Sequence, residues 1–502
     1  MLNRFLLFLF LIISHCSVYA NVYRYRLFFD GKPDSKPVTL SDRAVSRRDR
    51  LSIMTDDLDL NVSSLYLQEL RKAGFTIVTC SRWLNSAVVM KSDGSAITDV
   101  EMSSFPFVKK SELITMPESS SQTTTRAPER NQENYSTFAP TEDCTTPLRE
   151  VNAYESLYRA GYRGEGVLIA VFDGGYLRLN ECDFLNDKVD FVHDLYNPTE
   201  TETAFTGSNH GIQCMSIMAC PEEEGVCGTA QDARYYLFCT ENNTYESAIE
   251  EDMWVAAAEM ADSLGVDIIS SSLGYGEYNH NLLSHTPDEL AQNSVFVSIG
   301  AKIASQKGIL VVNSSGNYGN RSWRRILFPS DTEEVLTVGA YTPDLVAAEF
   351  TGLGFLSPYV KPDVSARGKF CYTIQPVNNG FEVRNIAAGT SFSTPLIVGL
   401  CASLWSAVPE LTPTELRQVV DRSASDYDNP TIFTGYGLPD FAAALKMARE
   451  LKGYTSLDNI INEATDGRSA ASRCYNLMGL PVTKPSQKGA YIVNGRIVFQ
   501  NN

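Results

Sequence analysis

The pattern of hydrophobic and polar positions divides the chain into distinct units. Within residues 21–115, strands are predicted at "VYRYRLFF", "TIVTCSRW", "SAVVMKS" and "PFVKKSELI", and helices at "SSLYLQELRKAGF" and from Ala96. The resulting βαββαβ order predicts a small α+β unit of the ferredoxin-like kind. Residues 116–147 are rich in Ser, Thr, Pro and charge and offer little to bury, so we expect a disordered linker there.

The pattern changes at about residue 148. From there to residue 450, apolar strands alternate with helices, which predicts an α/β unit whose parallel sheet has helices on both faces. The tail, residues 451–502, contains two predicted β-hairpins, the second turning at Asn494 and Gly495. One helix of the central unit is expected in "ESAIEEDMWVAAAEMADSLG", and the candidate strands lie at 167–172, 233–239, 266–272, 309–315 and 335–341.

Composition and the N-terminus narrow the classes of function. The formal net charge of −18 argues against a nucleic-acid partner, because phosphate binding needs clustered Lys and Arg. Residues 1–20 combine an early arginine, an apolar run and a small-residue ending, which is typical of a cleaved secretion signal. The alternative is a membrane anchor, but the run is short for one. We therefore expect a secreted or cell-surface protein with no transmembrane segment.

Cysteine usage is compatible with export. The chain has eleven cysteines, of which Cys16 lies in the signal, and an oxidising compartment permits disulfides among the rest. Cys220 and Cys227 are the easiest pair to close, because only a short acidic loop separates them. No Cys-x-x-Cys or paired-His spacing is present, so we expect no metal in the site.

A serine precedes the most hydrophobic helix. "NIAAGTSFSTP" leads into "LIVGLCASLW", which is too apolar for a surface helix. If the helix starts at Thr390 or Ser391, Pro395 falls in its first turn and Gly389 supplies the preceding turn. Ser391 would then lie at the positive end of the helix dipole, which suits a nucleophile whose attack creates an oxyanion. Taken alone, the serine could equally be a helix N-cap.

A nucleophilic serine needs a base, and the base needs a carboxylate. Among the histidines after the signal, His210 begins an apolar helical stretch, whereas the others lie in polar, loop-like contexts. Asp173 follows an apolar strand, so its burial would require a partner. Asn317 ends another strand, where its amide could donate to an oxyanion or merely cap the next helix. Alone, His210 could also be a helix-start histidine without a chemical role.

Taken together, these motifs resemble those of the subtilisin-like serine peptidases. Asp173 in "VFDGGY", His210 in "NHGIQ", Asn317 in "SSGN" and Ser391 in "GTSFSTP" occur in the family's order. The resemblance covers residues 148–450, extends to "KPDVSARG" and "GYGLPD", and is closest in style to secreted subtilases of Bacteroidetes.

The resemblance implies a serine endopeptidase that acts on proteins or peptides through an acyl-enzyme, with no cofactor required for the chemistry. Ser391 would attack the peptide carbonyl, and His210, oriented by Asp173, would carry the proton. Asn317 would help to hold the oxyanion. A structural calcium ion is compatible with the family, although no loop shows a recognisable ligand set. The cleft, with a preference for apolar side chains before the cut, would be lined by Ser272, Leu273, Gly274, Ser314, Ser315 and Gly316.

The same resemblance implies that residues 21–115 are a propeptide, which assists folding and inhibits the enzyme until it is cut away within 116–147. A binding domain independent of the peptidase is the alternative for this unit. The tail resembles short terminal modules, some of which are sorting signals, and a plain β appendage explains it equally well.

Some residues depart from the family pattern. Gly174, Ile212 and the pair Phe392-Ser393 differ from the usual residues, but none of these changes removes a proton-transfer group. They put substrate preference or rate in doubt rather than the chemistry. A function of another class would be a catalytically silent surface or adhesion protein on the same scaffold. Sequence alone does not separate a broad peptidase from one that cuts a single partner protein.

Overall fold

The computed structural model describes residues 22–117 and 143–454 and, in the tail, four short strands between residues 474 and 500. The predicted secretion signal, most of the predicted linker and the predicted Asn494–Gly495 turn therefore lie outside the described residues.

The N-terminal unit is a four-stranded antiparallel sheet with strand order β2-β3-β1-β4, which is the ferredoxin-like order predicted from the sequence. Its hydrophobic core, which includes Leu27, Leu70, Phe75 and Val89, lies between the sheet and helix α2. The elements are β1 (Arg24–Phe29), α1 (Asp42–Leu51), α2 (Ser64–Lys72), β2 (Phe75–Ser81), β3 (Ser86–Lys91), α3 (Asp99–Ser103) and β4 (Val108–Thr115).

The central unit contains a seven-stranded parallel sheet with strand order β11-β10-β9-β8-β5-β7-β6. All five predicted strands are present. The two outermost strands, β6 and β11, were not predicted; β6 is only partly buried and lacks the continuous apolar run of an interior strand. The strands are β5 (Leu168–Asp173), β6 (Val189–Asp194), β7 (Arg234–Cys239), β8 (Ile268–Ser271), β9 (Leu310–Ser314), β10 (Leu336–Tyr341) and β11 (Val364–Arg367).

Helices cover both faces of this sheet, as predicted. Alternate residues of β5 point to opposite faces: Ile169 and Val171 belong to one hydrophobic cluster, whereas Ala170 and Phe172 belong to the other. Helices α6 (His210–Ala219), α9 (Thr390–Ala407), α10 (Pro413–Ser423) and α11 (Phe441–Leu451) pack in the first cluster, and α7 (Ile249–Leu264) and α8 (Phe296–Gln306) in the second. Two short helices, α4 (Thr146–Glu150) and α5 (Asp183–Asn186), complete the unit.

Two further β elements flank the helical part. An antiparallel hairpin, β12 (Lys369–Val377) and β13 (Gly380–Ala388), leads directly into α9. In the tail, β14 pairs with β15 and β16 pairs with β17, which gives the two predicted hairpins, and β14 also pairs with β16 to join them in one sheet. The tail strands are β14 (Cys474–Asn476), β15 (Pro481–Val482), β16 (Gly489–Val493) and β17 (Arg496–Gln500).

The N-terminal unit packs against α7 and α8 of the central unit. Trp83, Val88 and Ile114 share a hydrophobic cluster with these helices. Around this apolar contact, three arginines of the N-terminal unit converge on the fully buried carboxylate of Asp262 in α7, at N–O distances of 2.6, 2.7 and 3.0 Å. The arginines are Arg47, Arg48 and Arg82.

The disulfide expected between Cys220 and Cys227 is not formed. Within residues 22–117 and 143–454 every cysteine is a free thiol. The Cys220 thiol instead donates a hydrogen bond to the neighbouring Pro221 carbonyl, and Gly228 N–H closes the loop onto Cys220 C=O. In the part of the chain that the structure describes, no helix is both long and apolar enough to cross a membrane.

Candidate active site

The carboxyl end of strand β5 brings Asp173 to the imidazole of His210. Asp173 is fully buried, and its Oδ2 lies 2.7 Å from His210 Nδ1, whereas its Oδ1 accepts a hydrogen bond from Gly174 N–H at 2.7 Å. The geometry fits Nδ1–H as the donor to Asp173, which leaves Nε2 as a proton acceptor. The buried carboxylate therefore has the partner that its burial requires.

His210 is the first residue of helix α6, and its surroundings fix the ring. Its backbone N–H donates to Ser208 Oγ, and its ring lies 5.6 Å from the ring of Phe392. Gly211 follows because a Cβ there would lie 2.5 Å from Gly175 O. Burial lowers the pKa of His210, but the interactions of its ring with Asp173 and with Cys214 together raise it by more, and the net pKa is well above 6.5.

Ser391 is the second residue of helix α9, which begins at Thr390, one of the two predicted starts, and it lines the same cleft as His210. Gly389 precedes the helix at φ 149°, a backbone conformation that side-chain-bearing residues resist. Ser391 is 7% exposed, and its hydroxyl donates to Ser272 O at 3.4 Å rather than to His210. Ser391 and His210 therefore line one cleft, with the Ser391 hydroxyl bonded to Ser272 O in this structure.

The structure corrects the position of Pro395. It lies inside α9, beyond the first turn in which the sequence analysis placed it. Because proline has no N–H, the Ser391 carbonyl loses its i+4 donor. Two side chains replace that donor: the Ser272 hydroxyl at 2.8 Å and the Cys214 thiol at 3.4 Å. Because of the proline, the Ser391 carbonyl is bonded to side chains of two other segments of the central unit.

Asn317, which follows β9, contacts the start of the same helix. Its Oδ1 accepts hydrogen bonds from Thr390 N–H at 2.8 Å and from Thr390 Oγ1 at 3.0 Å. These bonds orient the amide, because Oδ1 must face Thr390. The Nδ2 group is a hydrogen-bond donor that lies close to Gly389, 3.3 Å from where a Cβ on that glycine would be.

A cleft at the carboxyl ends of the strands joins these side chains. Ser315, a predicted member, does not line it; its side chain is fully buried and lies 3.3 Å from Thr351 Oγ1. Strand alternation points Ser315 away from its neighbours Ser314 and Gly316. The cleft is lined by His210, Ser272, Leu273, Gly274, Ser314, Gly316, Asn317 and Ser391, together with Glu241 and Leu327, which the sequence analysis missed.

Comparison with known proteins identifies the family. A profile described as "Subtilase family" matches residues 164–438, which is more than half of the chain. The chain belongs to the subtilase family. A second profile, "Peptidase S8 propeptide domain, Bacteroidota", matches residues 24–133. The subtilase is therefore a serine peptidase that carries a propeptide domain at its N-terminus.

Individual relatives agree with this assignment. Subtilisin DY from Bacillus licheniformis is 26% identical over 291 residues, covering 57% of this chain and 92% of that protein. Subtilisin E from Bacillus subtilis is 26% identical over 292 residues, covering 58% of this chain and 68% of that protein. Among solved structures, the keratinolytic enzyme fervidolysin from Fervidobacterium pennivorans is similar in fold, with a TM-score of 0.57, 17% identity, and coverage of 85% of this chain and 61% of that chain.

A thiol lies against the imidazole in this subtilase. Cys214 follows His210 by one helical turn, and its Sγ lies 3.7 Å from Nδ1 and 3.9 Å from Nε2. Burial raises the pKa of Cys214, so the thiol is neutral at ordinary pH and acts as a packing and donor group. The i to i+4 spacing in "HGIQC" was the sequence signal that could have found it.

The possible calcium site stays a prediction. In the described chain, the carboxylates of Glu241, Glu246 and Glu250 offer oxygen atoms within 4.8 Å of one another. Burial, and then the two neighbouring carboxylates, raise the pKa of Glu250 well above its ordinary value. Its oxygens already accept the backbone N–H groups of Asn242 and Ser247, so these contacts explain the cluster without an ion.

Proposed function

We propose that this subtilase is an exported serine endopeptidase that hydrolyses peptide bonds through an acyl-enzyme, with Asp173, His210 and Ser391 as its catalytic triad. The observation that carries the proposal is the 2.7 Å contact between Asp173 Oδ2 and His210 Nδ1, in a cleft that Ser391 also lines. No cofactor enters the reaction, because the side chains supply the nucleophile, the base and the oxyanion donors.

In the first step, the Ser391 hydroxyl turns from Ser272 O toward His210 Nε2 and attacks the peptide carbonyl. His210 takes the hydroxyl proton, and Asp173 stabilises the resulting imidazolium. The oxyanion accepts hydrogen bonds from Ser391 N–H and Asn317 Nδ2 at the N-terminus of the buried helix. His210 then returns the proton to the leaving amine, and water hydrolyses the acyl-enzyme by the reverse sequence.

The domain organisation belongs to the same proposal. A signal at 1–20 directs export, and residues 21–115 form a propeptide that inhibits the enzyme. Cleavage within 116–147 then releases the catalytic unit, 148–450, with its β tail at 451–502. The propeptide profile at 24–133 and the arginines bound to Asp262 support an inhibitory N-terminal unit that stays docked until it is cut.

A fluorophosphonate probe tests the triad, because it reacts only with an activated serine. We expect it to label Ser391 in the matured chain, and we expect Ser391→Ala to abolish both labelling and peptide hydrolysis. Ser393→Ala is the matched control. Ser393 lies in the same helix, and its hydroxyl is already bonded to Thr390 O at 3.0 Å. The control should be labelled and active.

The proposal fails if the Ser391→Ala variant cleaves peptides as fast as the parent. It also fails if a folded, matured parent is neither labelled nor active, which would be the outcome for a silent scaffold. Detection of uncleaved precursor in the Ser391→Ala variant, and of the processed form in the parent, would support self-maturation within 116–147.

A further inference from the structure

A leucine side chain fills the space beside Ser391 between the two glycine-bearing walls of the cleft. Leu327 lines the cleft together with Ser391, and only 3% of its surface is exposed. One wall contains Gly274, in the segment after β8, and the other contains Gly316, in the segment after β9. Leu327 comes from a third segment, which precedes β10.

The glycines of both walls pack closely against the Leu327 side chain. A Cβ on Gly274 would lie 2.7 Å from Leu327 Cβ, and a Cβ on Gly316 would lie 2.8 Å from both Cγ and Cδ1. A Cβ on Gly276, two residues further along the first wall, would lie 2.9 Å from Leu327 Cδ2. Distances this short exclude any larger residue at the three positions while Leu327 stays in place.

The backbone holds Leu327 in that position. Its N–H donates to Ser315 O in the second wall at 3.2 Å. The next residue, Phe328, exchanges both backbone hydrogen bonds with Tyr275 in the first wall, at 2.8 and 3.0 Å. The backbone at Leu327 is therefore bonded to both walls.

We propose that Leu327 makes the primary specificity pocket shallow, so that the residue immediately before the scissile bond must be Gly, Ala or Ser. The inference rests on the proposed function, in which the two walls that line the cleft with Ser391 hold the side chain before the cut. The sequence analysis expected a general preference for apolar side chains before the cut, and the proposal restricts the accepted side chains to small ones. Leu327 is a specificity-determining residue with no part in the chemistry.

The size of the effect follows from the packing. A residue such as Phe would have to displace Leu327 or remain outside the pocket, and either loses transition-state binding. A single methylene in such a pocket changes kcat/KM by about 10–200-fold. We therefore expect kcat/KM for Phe before the cut to be lower than that for Ala by at least about tenfold.

The full-length chain is expressed and allowed to mature, and the matured enzyme is then assayed. Its substrates are internally quenched peptides that differ only in the residue before the cut: Gly, Ala, Ser, Leu or Phe. Active sites are counted with the fluorophosphonate probe, so that a loss of folded enzyme does not look like a change of preference. The parent should prefer the three small residues. Leu327→Ala should raise kcat/KM for the Leu and Phe peptides relative to the Ala peptide, and Leu327→Val should lie between.

Leu336→Ala is the matched control, because Leu336 is a fully buried leucine of β10 outside the cleft. It should lower stability without changing the order of the peptides. Parent enzyme that cleaves the Phe peptide as fast as the Ala peptide would overturn the inference. So would a labelled Leu327→Ala enzyme with the parent's preferences. If Leu327→Ala does not fold, mass spectrometry of the sites cut by the parent in denatured proteins decides.

The two levels of the proposal fail in distinguishable ways. A parent chain that is neither labelled nor active on any peptide contradicts the proposed function. A labelled, active parent with large residues before its cuts contradicts only the shallow pocket.

Discussion

The Ser272 hydroxyl donates a 2.8 Å hydrogen bond to the carbonyl of Ser391, the proposed nucleophile, across 119 residues of chain. That carbonyl lacks its helical partner because Pro395, four residues later, has no N–H. A buried carbonyl without a strong donor costs about 1–3 kcal/mol, so the two residues are energetically linked.

We predict that Ser272→Ala destabilises the chain by about 1–3 kcal/mol and that the cost is smaller when Pro395 is replaced by Ala. The alanine at 395 restores an N–H that can reach the Ser391 carbonyl. Urea unfolding of the four proteins of this double-mutant cycle, all in a Ser391→Ala background that prevents self-digestion, measures the coupling. Equal costs of Ser272→Ala in both backgrounds would contradict the link.

The buried Asp173–His210 pair predicts the pH dependence of activity. Asp173 and Cys214 together outweigh the effect of burial and hold the pKa of His210 well above 6.5. His210 must be neutral to accept the Ser391 proton, so kcat/KM should rise with pH, with a midpoint above 6.5. A pH series with one peptide substrate measures this limb, and a midpoint at or below 6.5 would be the contrary result.

Asp173→Asn provides the matched comparison. Without the carboxylate, the lowering of the His210 pKa by burial is opposed less strongly, so this pKa should fall below that of the parent. Turnover should drop by about 10⁴-fold, as in another serine peptidase triad. NMR titration of the labelled imidazole in the Ser391→Ala background reads the pKa without requiring activity.

Local patterns in the sequence were enough to predict five of the seven strands of the central sheet. Asp173 closes an apolar strand, and His210 and Ser391 each begin an apolar helix, so a few residues around each carry the signal. Parallel strands place their carboxyl ends at one edge, which is why Asp173 and Asn317 could be assigned to one site. His210 and Ser391 were joined to them by the resemblance to the subtilisin-like peptidases.

Features that depend on contacts between distant segments could not be read in this way. Helix α1, "DRAVSRRDRL", has no apolar stripe, and its buried arginines are explained by Asp262 of α7 and, for Arg48, also by Asp59. The edge strand β6 lacks a buried run. Leu327 looks like an ordinary core leucine in sequence, because only the fold places it between two glycine-bearing walls.

The two ends of the Asn317 side-chain amide have different roles. Its Oδ1 is held by Thr390, and we expect Nδ2 to stabilise the oxyanion. Asn317→Ala should therefore lower kcat by about 10²–10³-fold, a magnitude known from subtilisin, a relative of this chain, with little change in KM. Steady-state kinetics with titrated active sites measures both constants.

Thr390→Val is the control for Asn317, because it removes one of the two bonds that orient the amide and keeps the backbone one. Its loss of kcat should be much smaller than that of Asn317→Ala. Equal losses would mean that the amide acts by holding the helix start rather than by donating to the oxyanion.

The cluster of arginines around Asp262 predicts a defect that is confined to the precursor. Three propeptide guanidinium groups share this fully buried carboxylate. Arg48 and Arg82 also contact Asp59 and Glu259, so Asp262→Asn chiefly removes the carboxylate that pairs with the buried Arg47. Breaking a buried pair in this way costs about 3–5 kcal/mol. In the mature enzyme the arginines are gone, and the same substitution should cost much less.

Urea unfolding of the Ser391→Ala precursor and of the fluorophosphonate-inhibited mature enzyme gives the two values. Asp190→Asn, which breaks an exposed pair with Arg234, is the control and should cost about 1 kcal/mol or less in both forms. If Asp262→Asn destabilises precursor and mature enzyme equally, Asp262 supports the catalytic unit itself and not the docking of the propeptide.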